Sequence, residues 1–125
     1  MNEKYSNGLH RMRILRAGDE EGRSGIALQG DYGKPRPALV IQSDFFDAHP
    51  SVTVLPVTSE LRETPLFRVT IEPTDTNALR NTSQVMVDKC MTVAKEKIGD
   101  VFGRLESSQM LEVERTLAVF LGIAK

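Results

Sequence analysis

Hydrophobic and polar positions along the chain predict a series of short strands. Residues 37–42 form an apolar run that is typical of a buried strand, and Val52, Val54 and Val57 mark a second strand. Residues 66–71 alternate between apolar and polar side chains, as a half-buried antiparallel strand does. Shorter apolar pieces predict further strands at 85–88, 90–93 and 101–102. The pattern therefore predicts a mostly antiparallel sheet.

Near the C-terminus, apolar residues recur at the three- and four-residue spacing of an amphipathic helix. The predicted helix begins at Ser107 or Ser108, because a serine side chain can cap the free amides of a first turn, and it ends at Gly122. Its apolar positions are Met110, Val113, Leu117, Phe120 and Leu121. The predicted fold is mostly β (α+β by another count), with a bent or barrel-like antiparallel sheet and a C-terminal α-helix.

The segments between the strands carry local signals of turns and caps. Ser43 is predicted to cap a short helical segment that Pro50 ends. Residues 73–83 are rich in turn formers, and residues 94–98 predict one helical turn.

The first 24 residues are predicted to be a polar N-terminal extension that is flexible or loosely attached. They include four arginines and an acidic cluster at 19–21, and Met12, Ile14 and Leu15 are their main apolar residues. The ordered domain is predicted at 25–125, with a first strand at 25–29.

Composition fits one soluble globular domain. Of the 125 residues, 40% are hydrophobic and 26% are charged, which are ordinary proportions for such a domain. The net charge of -1 means that any binding of nucleic acid depends on a local basic patch. The single cysteine, Cys90, excludes an internal disulfide and fits a reducing compartment, which predicts a cytoplasmic protein. Cys90 lies in an apolar strand pattern, so we expect a buried and inert thiol. No run reaches the roughly 18 apolar residues of a membrane span.

Motifs for metal or cofactor binding are not found in the sequence. His10 and His49 lie far apart, and neither belongs to a cluster with the spacing of metal ligands. The sequence also has no glycine-rich phosphate loop, nucleophile elbow or pair of cysteines. We therefore expect neither a metal site nor a cofactor.

The segment 31–41 is the most informative part of the chain. It joins a turn-forming loop to the first apolar strand, and Arg36 stands between Pro35 and Pro37. Each proline fixes its own φ, and Pro37 also favours an extended conformation for Arg36. A rigid arginine at the mouth of a strand is suited to binding a phosphate or another anion. The alternative is a surface turn with a solvated arginine.

Other polar residues stand at the predicted strand ends. The full set is Lys34, Arg36, Thr58, Ser59, Asp88 and Lys89. Such a set could cleave a phosphodiester through attack by the neighbouring 2′-hydroxyl, which needs a base, an acid and cationic or hydroxyl donors to the phosphorane. Alternatively, Thr58 and Ser59 cap a turn, Asp88 accepts bonds from backbone amides, and Lys89 is a solvated charge.

Three of these segments together resemble the MazF/PemK toxins of bacterial type II toxin–antitoxin systems. They are 35–41, 54–59 and 85–89, and the resemblance covers roughly residues 25–124. The resemblance implies an SH3-like barrel with a C-terminal helix that forms a homodimer. It also implies a metal-independent, sequence-selective endoribonuclease that cleaves single-stranded RNA, chiefly mRNA, and so inhibits growth until a cognate acidic antitoxin neutralises it.

The resemblance also implies roles for individual residues. Arg36 would stabilise the phosphate and take part in proton transfer. Thr58 and Ser59 would supply hydroxyls at the cleavage site, and Asp88 would act as the base or position the RNA. Three further residues would bind the substrate: Tyr32 by stacking on a base, and Lys34 and Lys89 by contacting the RNA.

Two departures from the family pattern leave other functions open. Some members carry an arginine two residues before the acidic residue, where this chain has Met86, and the polar stretch 20–24 is a poor first strand. One alternative is a catalytically inactive relative that only binds antitoxin or RNA. The other is a gyrase-poisoning toxin of the CcdB family, which uses a C-terminal tryptophan. This chain has no tryptophan, which argues against that second alternative.

Overall fold

The computed structural model of the protein describes residues 13–17 and 36–125. Within these ranges, the chain forms seven strands and one α-helix. The strands are β1 (Arg13–Ala17), β2 (Arg36–Val40), β3 (Ser51–Thr58), β4 (Arg68–Ile71), β5 (Ser83–Met86), β6 (Met91–Ala94) and β7 (Ile98–Arg104), and the helix is α1 (Ser107–Phe120). Short 3-10 turns span Asp44–Phe46, Val87–Lys89 and Lys95–Lys97.

The strands form one antiparallel sheet in the order β4-β5-β3-β2-β1-β7. β3 is long enough to pair with two strands in succession, with β6 along Ser51–Val54 and with β5 at Val57 and Thr58. The predicted antiparallel fold with a C-terminal helix is therefore confirmed. Between β4 and β7 the described strands form an open sheet, not a closed barrel.

Two apolar clusters pack on opposite faces of the central strands. Leu39 and Leu55 belong to the cluster that includes Val113 of α1, whereas Val40 and Val54 belong to the other. Successive side chains of a strand point to opposite faces, so β2 and β3 are buried on both sides. Burial on both sides explains why the sequence of β2 is apolar without alternation.

The first strand lies within the segment predicted to be a loose extension. β1 pairs with β2 on one side and with β7 on the other, and Ile14 is fully buried in the core. The prediction was therefore wrong for Arg13–Ala17. A strand between two partners is stabilised by backbone hydrogen bonds on both edges, which the polar composition of the surrounding segment does not reveal. The strand predicted at 25–29 lies outside the described residues.

The N-cap of the C-terminal helix lies one residue before the serines that were predicted to cap it. Glu106 is the N-cap: its side chain accepts a bond from the backbone of Gln109, whose own side chain accepts one from the Glu106 amide. At the other end, Gly122 has a φ of 78°, the left-handed conformation that glycine adopts without strain. No helix within the described residues is long and apolar enough to cross a membrane.

Two other local predictions had opposite outcomes. Ser43 caps the 3-10 turn Asp44–Phe46 by accepting a bond from the amide of Phe45, as predicted. Cys90, in contrast, is exposed, because it follows the turn Val87–Lys89 and precedes β6. Neighbouring protein atoms still desolvate the Cys90 sulfur and raise the pKa of its thiol, which favours the neutral, less nucleophilic form.

Candidate active site

Arg36 and Thr58 stand at matching ends of adjacent strands. The β2–β3 pairing ends at Ala38 and Pro56, and Arg36 and Thr58 each lie two residues beyond that last pair, at the same end of the two strands. On its other side, Thr58 pairs with Gln84 of β5. The fold therefore brings together an arginine and a hydroxyl group that are 22 positions apart in the sequence.

A cavity of about 320 Å³ opens at this end of the sheet. Its lining comprises Arg36, Pro37, Val57, Thr58, Ser59, Ala78, Leu79, Arg80, Asn81, Ser83 and Phe102. Among these described residues, two are arginines and none is acidic, so the lining carries a local positive charge although the whole chain has a net charge of -1. The structure thus brings together three of the predicted site residues, Arg36, Thr58 and Ser59.

The hydroxyl groups of the cavity are held in defined positions. The Thr58 Oγ1 atom accepts a hydrogen bond of 3.0 Å from the amide of Glu60. Since that bond uses a lone pair of the oxygen, the hydroxyl proton of Thr58 stays available for a bound anion. Ser83 is buried, and its Oγ donates to the carbonyl of Asn81 at 2.9 Å, which fixes the loop at the cavity wall.

The loop between β4 and β5 forms a wall of the cavity that the sequence analysis did not identify as part of the site. Asn77 organises this loop from a fully buried position. Its Oδ1 accepts bonds from the amides of Thr74 and Leu79, both at 3.0 Å, and its Nδ2 donates to the Glu72 carbonyl at 3.0 Å. The turn-rich composition of 73–83 was visible in the sequence, but it gave no sign that the loop faces Arg36.

Ala78, next to Asn77, has a φ of 57°, which is a strained conformation for a residue with a Cβ. The surrounding bonds of Asn77 hold this strained residue in place. We therefore expect Ala78→Gly to raise the free energy of unfolding by about 1 kcal/mol, measured by urea denaturation. An unchanged or lower stability would contradict the strain at this position.

A very close approach fixes the loop against β7. A Cβ added to Gly103 would lie 2.2 Å from the carbonyl oxygen of Asn77 and 2.6 Å from its carbonyl carbon. The next amide, that of Arg104, donates to the carbonyl of Thr76 at 3.0 Å. Glycine at this position is thus required for the contact between the strand and the loop.

Asp88 and Lys89 lie apart from the cavity lining. The cavity lining includes Ser83, the first residue of β5, whereas Asp88 lies two residues beyond Met86, the last residue of that strand. The Lys89 Nζ is 4.0 Å from a carboxylate oxygen of Asp88. The other carboxylate oxygen, Oδ1, is buried and has no hydrogen-bond partner among the described residues. The structure therefore does not bring Asp88 next to Arg36 within one wall of the cavity.

Met86 has an arginine beside it from the neighbouring strand. Arg68 pairs with Met86, and its guanidinium donates to Gln84 Oε1 at 3.0 Å and to the carbonyl of Glu60 at 2.9 Å. The Gln84 amide in turn bonds to both backbone groups of Arg62, at 3.0 and 2.9 Å. These bonds hold the segment that directly follows Ser59.

Two predicted substrate-binding residues, Tyr32 and Lys34, lie outside the described residues. Within 13–17 and 36–125, no group of three or more histidine, cysteine, aspartate or glutamate side chains is placed to hold a metal ion.

Comparison with protein families gives a match over most of the chain. The family of PemK-like, MazF-like toxins of type II toxin–antitoxin systems matches residues 25–121. The chain belongs to this family. The resemblance inferred from the three sequence motifs is therefore confirmed, and the PemK/MazF match includes all the cavity-lining residues.

Individual relatives agree with the family assignment. The chain is 48% identical over 99 residues to a protein named "Probable endoribonuclease MazF" from Mycolicibacterium smegmatis, covering 78% of this chain and 91% of that protein. The fold is similar to that of the Mycobacterium tuberculosis toxin MazF-mt6, with a TM-score of 0.70, 22% identity, and coverage of 90% and 99% of the two chains. A mycobacterial endoribonuclease solved in complex with its cognate antitoxin gives a TM-score of 0.70 at 20% identity, with coverage of 93% and 97%.

Proposed function

We propose that this PemK/MazF-family protein is a metal-independent, sequence-selective endoribonuclease toxin that cleaves single-stranded RNA, chiefly mRNA. One observation carries the proposal: Arg36 and Thr58 line the same cavity, and that cavity has no acidic residue among its described lining. Such a cavity attracts the phosphate backbone of RNA and supplies donors to it. The name of the M. smegmatis relative, a probable endoribonuclease, supports the same activity.

The proposed reaction begins with attack of the ribose 2′-oxygen on the adjacent phosphorus. The bond from phosphorus to the 5′-oxygen of the next nucleotide then breaks. The products are a 2′,3′-cyclic phosphate and a 5′-hydroxyl, and the 2′-hydroxyl proton is lost while the leaving oxygen gains one. Charge builds up on the nonbridging phosphate oxygens in the transition state, so donors aimed at these oxygens accelerate the step.

Arg36 and Thr58 would supply those donors. The guanidinium of Arg36 is planar and offers paired N–H groups that match two phosphate oxygens. Thr58 would donate its free hydroxyl proton to the same phosphate, and the exposed hydroxyl of Ser59 lies at the mouth of the same cavity. The resemblance also predicts that Arg36 takes part in proton transfer. It predicts further that Asp88 acts as the base or positions the RNA.

The partners are proposed on the same grounds. A cognate antitoxin with an acidic segment would compete with RNA for the positive cavity, and a solved structural neighbour is itself bound to its antitoxin. A second copy of the chain would form a homodimer, for which α1 and the residues after it offer exposed apolar side chains such as Phe120 and Ile123.

We place the protein in the cytoplasm, where its mRNA substrate is found. The gyrase-poisoning alternative is not favoured, because the chain has no tryptophan.

The test is incubation of a long single-stranded RNA with the purified protein in EDTA, followed by analysis of the product ends. We expect cuts at a short recurring sequence that leave a 2′,3′-cyclic phosphate and a 5′-hydroxyl. The matched control is the same RNA with 2′-deoxyribose on the 5′ side of each cut, which has no attacking hydroxyl. Cleavage of that control, or no cleavage of the RNA by folded protein, would refute the proposal.

A further inference from the structure

We propose that Arg80 is a second phosphate-binding residue of the cavity and holds a backbone phosphate of the bound RNA. This inference rests on the proposed function and adds a substrate-binding residue to it. Arg80 comes from the loop between β4 and β5, whereas Arg36 begins β2, so the two arginines of the cavity lining come from different elements. In the sequence, nothing in the turn-rich segment 73–83 links Arg80 to Arg36.

The loop presents Arg80 in a fixed position. Three residues before it, Asn77 ties together both ends of the turn through bonds to Thr74, Leu79 and Glu72. Ala78 is held at a φ of 57°, which the chain would not adopt without these bonds. On the far side of Arg80, the Asn81 carbonyl is held by the buried Ser83. The backbone on both sides of Arg80 is thus ordered before RNA arrives.

No described residue neutralises the charge of Arg80. Arg80 is exposed and forms neither an ion pair nor a side-chain hydrogen bond with any residue that the structure describes. No acidic residue is found among the described residues of the cavity lining. An exposed arginine on an ordered loop therefore has all five donors available for a phosphate.

Arg80 is expected to act on affinity rather than on the chemical step. Arg36 shares its end of the sheet with Thr58, whose hydroxyl is a predicted donor to the reacting phosphate, whereas Arg80 lines the cavity from the loop between β4 and β5. A contact made equally in the ground state and in the transition state lowers KM and leaves kcat unchanged. Arg80→Ala should therefore raise KM about tenfold with little change in kcat.

Binding gives a test that does not depend on cleavage. The probe is a fluorescein-labelled single-stranded RNA of mixed sequence in which every 2′-hydroxyl is methylated, and fluorescence anisotropy gives Kd over a series of salt concentrations. For Arg80→Ala we expect Kd to rise about tenfold, and the slope of log K against log salt to become shallower by about 0.7, the contribution of one phosphate contact on a single strand. Arg80→Lys should restore most of the slope, because it keeps the charge.

The control variant is Lys97→Ala, which removes one positive charge from an exposed residue outside the cavity lining. If Arg80→Ala changes Kd and the salt slope no more than Lys97→Ala, Arg80 is a solvated surface arginine and the inference is wrong. If the wild type binds the probe but does not cleave unmodified RNA, the proposed function fails while Arg80 is still tested by binding. If the wild type binds no RNA, both proposals are refuted.

Discussion

Arg36→Ala is expected to lower the rate of RNA cleavage about 1000-fold, because one preorganised donor to a charged transition state contributes roughly that factor. Arg36 begins β2 and lines the same cavity as Thr58, so no neighbouring arginine of the same strand can replace it. The rate is measured under single-turnover conditions with saturating protein, which separates the chemical step from RNA affinity.

Two matched variants test whether geometry or only charge matters. Arg36→Lys keeps the charge but loses the planar pair of donors, so we expect it to recover only a small part of the rate. Thr58→Val keeps the shape of the side chain and removes its hydroxyl, and it should lower the rate about 100-fold. Unfolding in urea shows whether each variant is still folded. Wild-type rates for both Arg36→Ala and Thr58→Val would show that the cavity is not the active site.

Gly103→Ala is expected to lower the free energy of unfolding by about 3 kcal/mol. The added Cβ would lie 2.2 Å from the Asn77 carbonyl oxygen, and this obstacle is backbone, which cannot rotate away as a flexible side chain can. Relief requires the loop or β7 to move, which would disturb the bonds of the buried Asn77 within the loop or the bond from the Arg104 amide to the Thr76 carbonyl. Because the same loop presents Arg80, RNA affinity should fall as well.

Gly122→Ala is the matched control for this loss of stability. Gly122 also has a positive φ, of 78°, but an added Cβ there meets no atom within 4 Å. Its substitution should therefore cost about 1 kcal/mol, from backbone strain alone. Urea denaturation of the two variants gives the comparison. An equal loss in both would mean that the contact between Gly103 and Asn77 is not close in solution.

The sequence was sufficient to predict the strands that are buried on both faces and the residues at their ends. β2 and β3 have apolar runs that end in polar groups, so Arg36 and Thr58 could be assigned to strand ends from local signals. Their closeness depends on how β2 and β3 pair, and a run that is apolar on both faces does not encode that register. The assignment of these residues to strand ends was therefore predictable, but their closeness was not.

The remaining parts depend on contacts between distant segments. β1 is a short strand within a polar segment of the sequence, and its place in the sheet is determined by hydrogen bonds to β2 and β7, which no local pattern reports. Likewise, Arg80 reaches the cavity because Asn77 packs against Gly103, a contact across 26 positions of the chain. Cys90 was predicted to be buried because it lies among apolar residues, but it follows the turn Val87–Lys89 and is exposed.

The position of β1 between β2 and β7 has a consequence for the order of folding during synthesis. Until residues 98–104 have left the ribosome, β1 has only one of its two partners, and the cavity lacks Phe102. Contacts between such distant segments form slowly, because a long loop must close first. An incomplete nascent chain would therefore lack a finished RNA-cleaving cavity, which would spare the mRNA and the ribosome that are producing it.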